Sequence, residues 1–335
     1  MKLRNINIFK YIFIIIVIAL VCGAIYILYY SSNMNKEVDE DVEEQEDNNS
    51  PISIVENFKM GIANYDTMNP ILTKNKEIDN LDRLIFEPLV NITNDYKIEN
   101  CLAKSIEKKD TLTYEVKIDN SIKWQDGTSF FSKDIQFSVN KIKEYDSIYK
   151  SNVEHIEAVD TPDAETAIIK LNQEDPFFEY NLSFPILSSA YYVNEDFAST
   201  GKIPIGTGMY RIASIDNDNI LLIRNDRWRD IKNKTPKTQS ITIHRYNAQG
   251  EVFNTFKLGN IDSIVTYMSN YSEYIGTLGY NRKDFLGRSY DFISFNCEDN
   301  ILKNKEVRQA INYSINRQEI VSSSLYDTKS VSRSL

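Results

Sequence analysis

The residue types that do chemistry are few in this chain, and their spacing is poor for catalysis. His155 and His244, its two histidines, stand far apart, with no H-x-x-x-H pair and no cysteine pair beside either. That leaves none of the compact spacings that hold zinc. No G-x-S-x-G nucleophile elbow and no Walker A motif occurs. Carboxylates are plentiful but scattered, and only geometry can make two of them an acid/base pair. The chain therefore reads as a binder rather than an enzyme, with no metal and no cofactor.

Several short motifs invite chemistry but have simpler structural readings. Gly206-Thr207-Gly208 resembles a phosphate cradle, yet it lacks the Lys-Ser/Thr ending of a P-loop and precedes a strand rather than a helix. It reads as a backbone turn that only glycine tolerates. Arg308 reads as a structural ion-pair partner on its helix, and Trp124 with Asp126-Gly127 as parts of a hairpin. Cys22, Cys101 and Cys297 show no pairing pattern. A Cys101–Cys297 disulfide stays open outside the cell, but free, buried thiols are the expectation.

The N-terminus speaks for compartment. Residues 1–10 carry Lys2, Arg4 and Lys10 and no acid, and residues 11–30 are uncharged and almost wholly apolar. A spanning helix needs ~20 such residues, and basic flanks stay inside. The expectation is a basic cytoplasmic segment (1–10), a transmembrane anchor or signal-anchor (11–30) and an acidic, solvated tether (31–50) running from Glu37 to Asp47. A cleaved signal peptide competes, but its apolar core is usually about 7–15 residues long and ends at a small-residue site. Lipoprotein processing at Cys22 competes too; Val21 stands where a small residue is needed. Every version puts the bulk of the chain outside the cell membrane.

The chain has 335 residues, 42% hydrophobic and 26% charged, with net charge −10. Beyond the tether that is enough for two lobes rather than one core. The acidic balance argues against nucleic acid, whose binding is dominated by phosphate neutralisation.

Periodicity outlines the elements. Ile52–Ile62 suits an opening strand, and Ile78, Leu81, Leu84 and Ile85 sit at helical spacing within 77–86. Leu112, Tyr114, Val116 and Ile118 alternate with polar residues, predicting a half-buried strand. Ile122–Trp124 extends again before a turn at Asp126-Gly127. Ser132 is expected to cap a helix to Lys143 whose inner face is Ile135, Val139 and Ile142. Strands are expected at 166–171, 209–215, 220–224, 240–246 and 291–296. Helices are expected at 248–259 and from Asn304, the last with Val307, Ala310, Ile311 and Ile315 facing inward. The result is a mixed α/β chain with more than one layer.

An ordered set of segments then resembles the family 5 extracellular solute-binding proteins, which bind oligopeptides, dipeptides and nickel for ABC importers. Leu84-Ile85-Phe86-Glu87-Pro88-Leu89-Val90, Leu102-Ala103-Lys104-Ser105, Thr113–Ile118 with Ile122–Thr128, and Ser132–Ser138 come first. Pro204–Tyr210, Gly259-Asn260-Ile261-Asp262, and Phe295-Asn296 followed by Val307–Arg317 complete the order. Together they cover roughly residues 52–325.

The resemblance implies a two-lobe, periplasmic-binding-protein-like α/β fold of type II that closes on its ligand by a hinge motion. Lobe I would take residues 51–90 and 204–266, with an inserted subdomain at 91–203, and lobe II would begin at 267–335. Peptides would be held extended by main-chain hydrogen bonds and passed to ABC permease subunits with a separate ATPase. Implied ligand contacts are Asn64, Tyr65, Lys74 and Asn75 from lobe I, and Tyr267, Met268, Tyr290, Phe292 and Asn296 from the crossover and lobe II. Relatives of this family continue past the position of Leu325, so lobe II is expected to be incomplete within these residues, and the acid that pairs with a peptide's amine is not assignable. Alternatives within the binder class are a surface peptide receptor not coupled to import, or a binder of nickel chelate, haem or oligosaccharide.

The N-terminal expectation has a direct check. Mass spectrometry of the membrane-bound protein should find the chain uncleaved; a mature form starting at Cys22 would contradict the anchor.

Overall fold

A computed structural model of the chain describes residues 55–193, 197–198, 202–265, 279–281, 283, 285, 291–324 and 331. The expected span at 11–30 and tether at 31–50 lie outside the described residues. No helix among the described residues is long and apolar enough to cross a membrane.

In chain order the elements are β1 (Val55–Ala63), α1 (Lys76–Asp82), β2 (Val90–Ile92), β3 (Ile98–Asn100), β4 (Ala103–Lys108), β5 (Thr113–Ile118) and α2 (Ser132–Glu144). A single 3-10 turn at Lys150–Val153 precedes β6 (Ile156–Asp163), β7 (Thr166–Leu171) and α3 (Phe178–Asn181). Then come β8 (Tyr210–Ile215), β9 (Asn219–Arg224), β10 (Thr238–Tyr246), α4 (Gln249–Lys257), α5 (Lys305–Ser314) and α6 (Arg317–Ser324).

Two four-stranded sheets carry the fold. One has the order β1-β10-β9-β8, with β1 parallel to β10 and the other pairs antiparallel. The other is wholly antiparallel, β4-β5-β7-β6. The first is drawn from within residues 51–90 and 204–266, the second from within 91–203. One hydrophobic cluster runs through both, from Ile62 and Ile243 in the first sheet to Val116 and Ile169 in the second. The outer edge of β1 is closed by Asp262, whose carboxylate accepts from the Lys59 amide at 2.7 Å while its own amide donates back to Lys59 O at 2.8 Å.

The seam between these parts is Gly206-Thr207-Gly208. The Gly208 amide donates to Ile85 O at 2.8 Å, and the Tyr210 amide to Leu84 O at 2.9 Å. Gln125 clamps the same stretch, donating its amide to Gly206 O and its side chain to Tyr210 O while accepting from the Gly206 amide. A Cβ at Gly206 would stand 1.9 Å from Ile85 O, and one at Gly208 2.6 Å from Leu84 O. Glycine is required here, as expected, but because two backbones meet rather than because of an unusual φ.

Several expected elements appear in altered form. The first helix ends at Asp82 rather than Phe86: the Leu84 and Ile85 amides close in tight turns on Leu81 O and Asp82 O, and the Leu84 and Ile85 carbonyls then accept from Tyr210 and Gly208. The cap of α2 is not Ser132: Asp134 Oδ2 accepts the Phe131 amide at 2.9 Å, and Ser132 Oγ donates to Asp163 O. The face of α2 is as read, with Ile135, Val139 and Ile142 buried. Asn304 does cap α5, accepting the Glu306 amide at 2.8 Å. However, no residue of that helix is buried, because among the described residues nothing packs on its apolar side. Residues 291–296 are irregular rather than a strand, having no sheet partner among the described residues.

Asp82 stands out in the core. It is 3% exposed, and neither carboxylate oxygen has a hydrogen-bond partner. Burial pushes its pKa well above the ordinary carboxylate range, with Asp79 and Asp66 adding to the effect. The folded chain thus resists ionising Asp82 while the unfolded chain does not. Stability is fully present below the ordinary carboxylate pKa and is lost as pH rises from there through the raised folded value. Asp82→Asn, near-isosteric and uncharged, should raise the melting temperature at pH 7–8 and shift it much less near pH 4. An equal shift at both pH values would refute this reading of Asp82.

Candidate functional site

In open α/β sheets, ligands collect beyond the carboxyl ends of parallel strands. Here those ends belong to β1 and β10, where Ala63 is in register with Tyr246 and the Asn64 amide donates to Tyr246 O at 3.0 Å. Asn64 then takes a left-handed φ of 53°. Asparagine tolerates that conformation better than most residues, and it turns the chain out of the sheet into the loop that carries Tyr65.

The loop is closed on Asp66. One of its carboxylate oxygens accepts from the Thr67 amide and from Thr73 Oγ1 at 2.8 Å, the other from the Lys74 amide at 2.6 Å. Asn75 completes the closure. Its side-chain oxygen caps α1 by accepting from the Glu77 and Ile78 amides, and its Nδ2 donates to Ala63 O at 2.7 Å and Asn64 O at 2.9 Å. Losing such a cap costs about 1 kcal/mol, and here it would also release the end of β1.

Tyr65 is half-buried, and the Arg245 guanidinium lies 3.8 Å from its ring centroid. Burial raises the Tyr65 pKa, and Arg245 works in the opposite direction. Tyr65 also rims a small depression with Tyr192, Lys202, Pro204 and Ile215. Its volume of about 10 Å³ is room for about one water molecule. Beyond this depression lie the carboxyl ends of β1 and β10, the candidate place for a larger ligand. Lys74 reaches Asp146 at 3.1 Å with both side chains solvent-facing, a pair worth about 0–1 kcal/mol.

Asn64, Tyr65, Lys74 and Asn75 are thus brought to one edge. Within that set Asn75 is fully engaged in local bonds, which makes it a positioning residue rather than a free contact. Asn296 joins none of them by hydrogen bond: it is exposed, and its side-chain oxygen accepts from the Glu298 amide at 3.0 Å. Phe292 is exposed as well. Tyr267, Met268 and Tyr290 lie outside the described residues. Arg245 and Asp66 stand at the same strand ends and escaped the sequence reading. Arg245 reaches Tyr65 only through the parallel register of β1 and β10, which alternation along one strand does not reveal.

Other polar clusters are structural. Glu87 is buried and accepts from Arg229 Nη1 at 2.5 Å and from Trp228 Nε1 at 3.2 Å. Arg229 Nη2 also meets Cys101 Sγ at 3.3 Å. Burial, with Glu87 beside it, pushes the Cys101 thiol up to about 11, so it is not a reactive thiolate at neutral pH. Cys101 and Cys297 are both free, and Cys297 is exposed rather than buried. Arg308 is structural as expected, but it donates to the Leu302 and Lys303 carbonyls rather than pairing with an acid. Among the described residues no cluster of His, Cys, Asp and Glu could hold a metal ion.

With this geometry in place, comparison with known proteins is informative. Residues 97–335 match the model of the bacterial extracellular solute-binding proteins, family 5 (middle region). A Brucella ovis protein, named provisionally as an ABC transporter peptide-binding protein, is 29% identical over 252 residues, covering 71% of this chain and 47% of that protein. The glutathione-binding protein GsiB of Escherichia coli K12 is 24% identical over 276 residues, 77% of this chain and 52% of its own length. This chain spans about half the length of the curated relatives it matches.

Among solved structures, the oligopeptide-binding protein AppA of Bacillus subtilis, in complex with a nonapeptide, superposes with a TM-score of 0.63 at 22% identity, covering 82% of this chain and 56% of its own. NikZ of Campylobacter jejuni, in complex with Ni(L-His), gives 0.60 at 24% identity, covering 83% and 56%. These likenesses show the fold: a mixed α/β architecture shared with periplasmic binding proteins.

Proposed function

Because the chain belongs to the bacterial extracellular solute-binding proteins of family 5, we propose that it is the substrate-binding component of an ABC transporter, capturing peptides outside the cytoplasm. The observation that carries this reading is the edge at the ends of β1 and β10. There the left-handed Asn64, the half-buried Tyr65 and the Arg245 guanidinium are gathered and held by Asn75 and Asp66. Strand ends with an aromatic face and polar backbone suit an extended peptide bound through its main chain.

In this reading lobe I presents that edge, a second lobe beginning near residue 267 closes over the ligand, and permease subunits with a separate ATPase receive it. Residues 11–30 hold the protein at the cell membrane as a single-pass anchor, and the acidic stretch at 31–50 spaces the domain from the surface. The resident chemistry is binding, with no catalytic step.

Titration calorimetry on the full chain in detergent, with a pool of random free-acid pentapeptides, tests the reading. Saturable binding is expected, together with loss of peptide uptake in cells deleted for the gene. Binding with unimpaired uptake would replace the importer with a surface receptor, and absence of any peptide binding would defeat the proposal.

A further inference from the structure

Several described arginines have their guanidinium groups accounted for. Arg229 is taken by Glu87 and Cys101, Arg224 by Asp226, Arg308 by two carbonyls and Arg317 by Asn312. Arg245 differs. It is half-buried, its Nη1 donates to Asp216 O, its Nε is buried without a partner, and no carboxylate among the described residues lies within ion-pair distance. A partly desolvated charge left unpaired is costly.

The nearest acids make their hydrogen bonds elsewhere, although the Asp216 carboxylate, whose pKa the Asp218 and Asn219 amides hold below the ordinary carboxylate range, lies close enough for Arg245 to add to that effect. Asp216 accepts the Asp218 and Asn219 amides at 2.9 Å and 2.7 Å inside the β8–β9 turn. Asp66 is closed on its own loop through Thr73 and the Lys74 amide. Meanwhile the guanidinium is packed against the Tyr65 ring, 3.8 Å from its centroid, and donates to the Asp216 carbonyl. A planar donor fork that forms no ion pair among the described residues is matched to a carboxylate.

We propose that Arg245 receives a carboxylate of the ligand, with Tyr65 as the platform that sets the plane of the guanidinium. The proposal rests on the reading of the chain as a peptide binder and names the ligand group that decides affinity at this edge. Arg245 lies one residue before Tyr246, whose carbonyl accepts the Asn64 amide. A carboxylate on Arg245 would therefore place the neighbouring peptide backbone along the Asn64–Tyr65 turn. The carboxylate is either the peptide's C-terminus or an acidic side chain.

Calorimetry on the full chain with three pentapeptide pools separates these sources: neutral sequences with a free C-terminus, the same sequences C-amidated, and amidated sequences carrying one Asp or Glu. The free-acid pool should bind about tenfold or more tighter than the neutral amidated pool, the scale of a charge-assisted hydrogen bond. Recovery of affinity in the acidic amidated pool would assign the site to side-chain carboxylates as well. Arg245→Gln should bring the carboxylate-bearing pools down to the level of the neutral one, and Arg245→Lys, which keeps charge but not the fork, should restore part of the difference. Should the glutamine variant fail to fold, the wild-type and lysine proteins decide the matter. Equal wild-type affinity for all three pools, or a preference that survives in Arg245→Gln, overturns the proposal while leaving peptide binding intact. If no pool binds, both readings fall.

Discussion

The fold depends on one close approach, the passage of Gly206-Thr207-Gly208 across the Leu84–Ile85 backbone. Peptide groups from segments far apart in sequence meet with no side chain between them, and a single Cβ would put carbon 1.9 Å from a carbonyl oxygen. The bonds made there fix the segment after α1, start β8 and draw Gln125 in from the hairpin before α2. Interiors this dense yield poorly to added volume. The two sheets consequently share one hydrophobic core.

That packing is what makes the end of β1 usable. Stopping α1 at Asp82 leaves a short helix whose N-cap, Asn75, ties back to the carbonyls of Ala63 and Asn64. The strand end, the left-handed turn and the Tyr65–Arg245 stack are thereby held in one arrangement before any ligand arrives, and such preorganisation lowers the cost of binding. Against this stands the unpaired, buried carboxyl of Asp82, the last residue of that helix. It is a local cost in stability placed directly behind the edge.

Much of this was legible in the sequence where the physics is local. The alternation of Tyr114, Val116 and Ile118 gave β5, the spacing of Ile135, Val139 and Ile142 gave the buried face of α2, and Asn304 announced the start of α5. Glycine at positions 206 and 208 was recognisable as a backbone necessity. What escaped was whatever depended on a distant partner. The helix expected through Leu84 and Ile85 stops at Asp82, and the carbonyls of those two residues meet amides more than a hundred residues away; Asp134 took the cap that Ser132 advertised. The strand at 291–296 and the inward face of α5 needed neighbours that the described residues do not supply. At the site, Asn64, Tyr65, Lys74 and Asn75 could be named only through the family resemblance. Arg245 could not, because only strand register carries it there.

The central claim is that a ligand meets this chain along the ends of β1 and β10, over a seam that does not move. Hydrogen–deuterium exchange on the full chain, with and without a saturating free-acid pentapeptide pool, addresses it most directly. The account predicts slow exchange at Gly208 and Tyr210 in both states, with new protection on binding confined to residues 62–75 and 244–247 within the two sheets. Protection appearing elsewhere in the sheets while those segments stay unchanged, or fast exchange at the glycine seam, would contradict it.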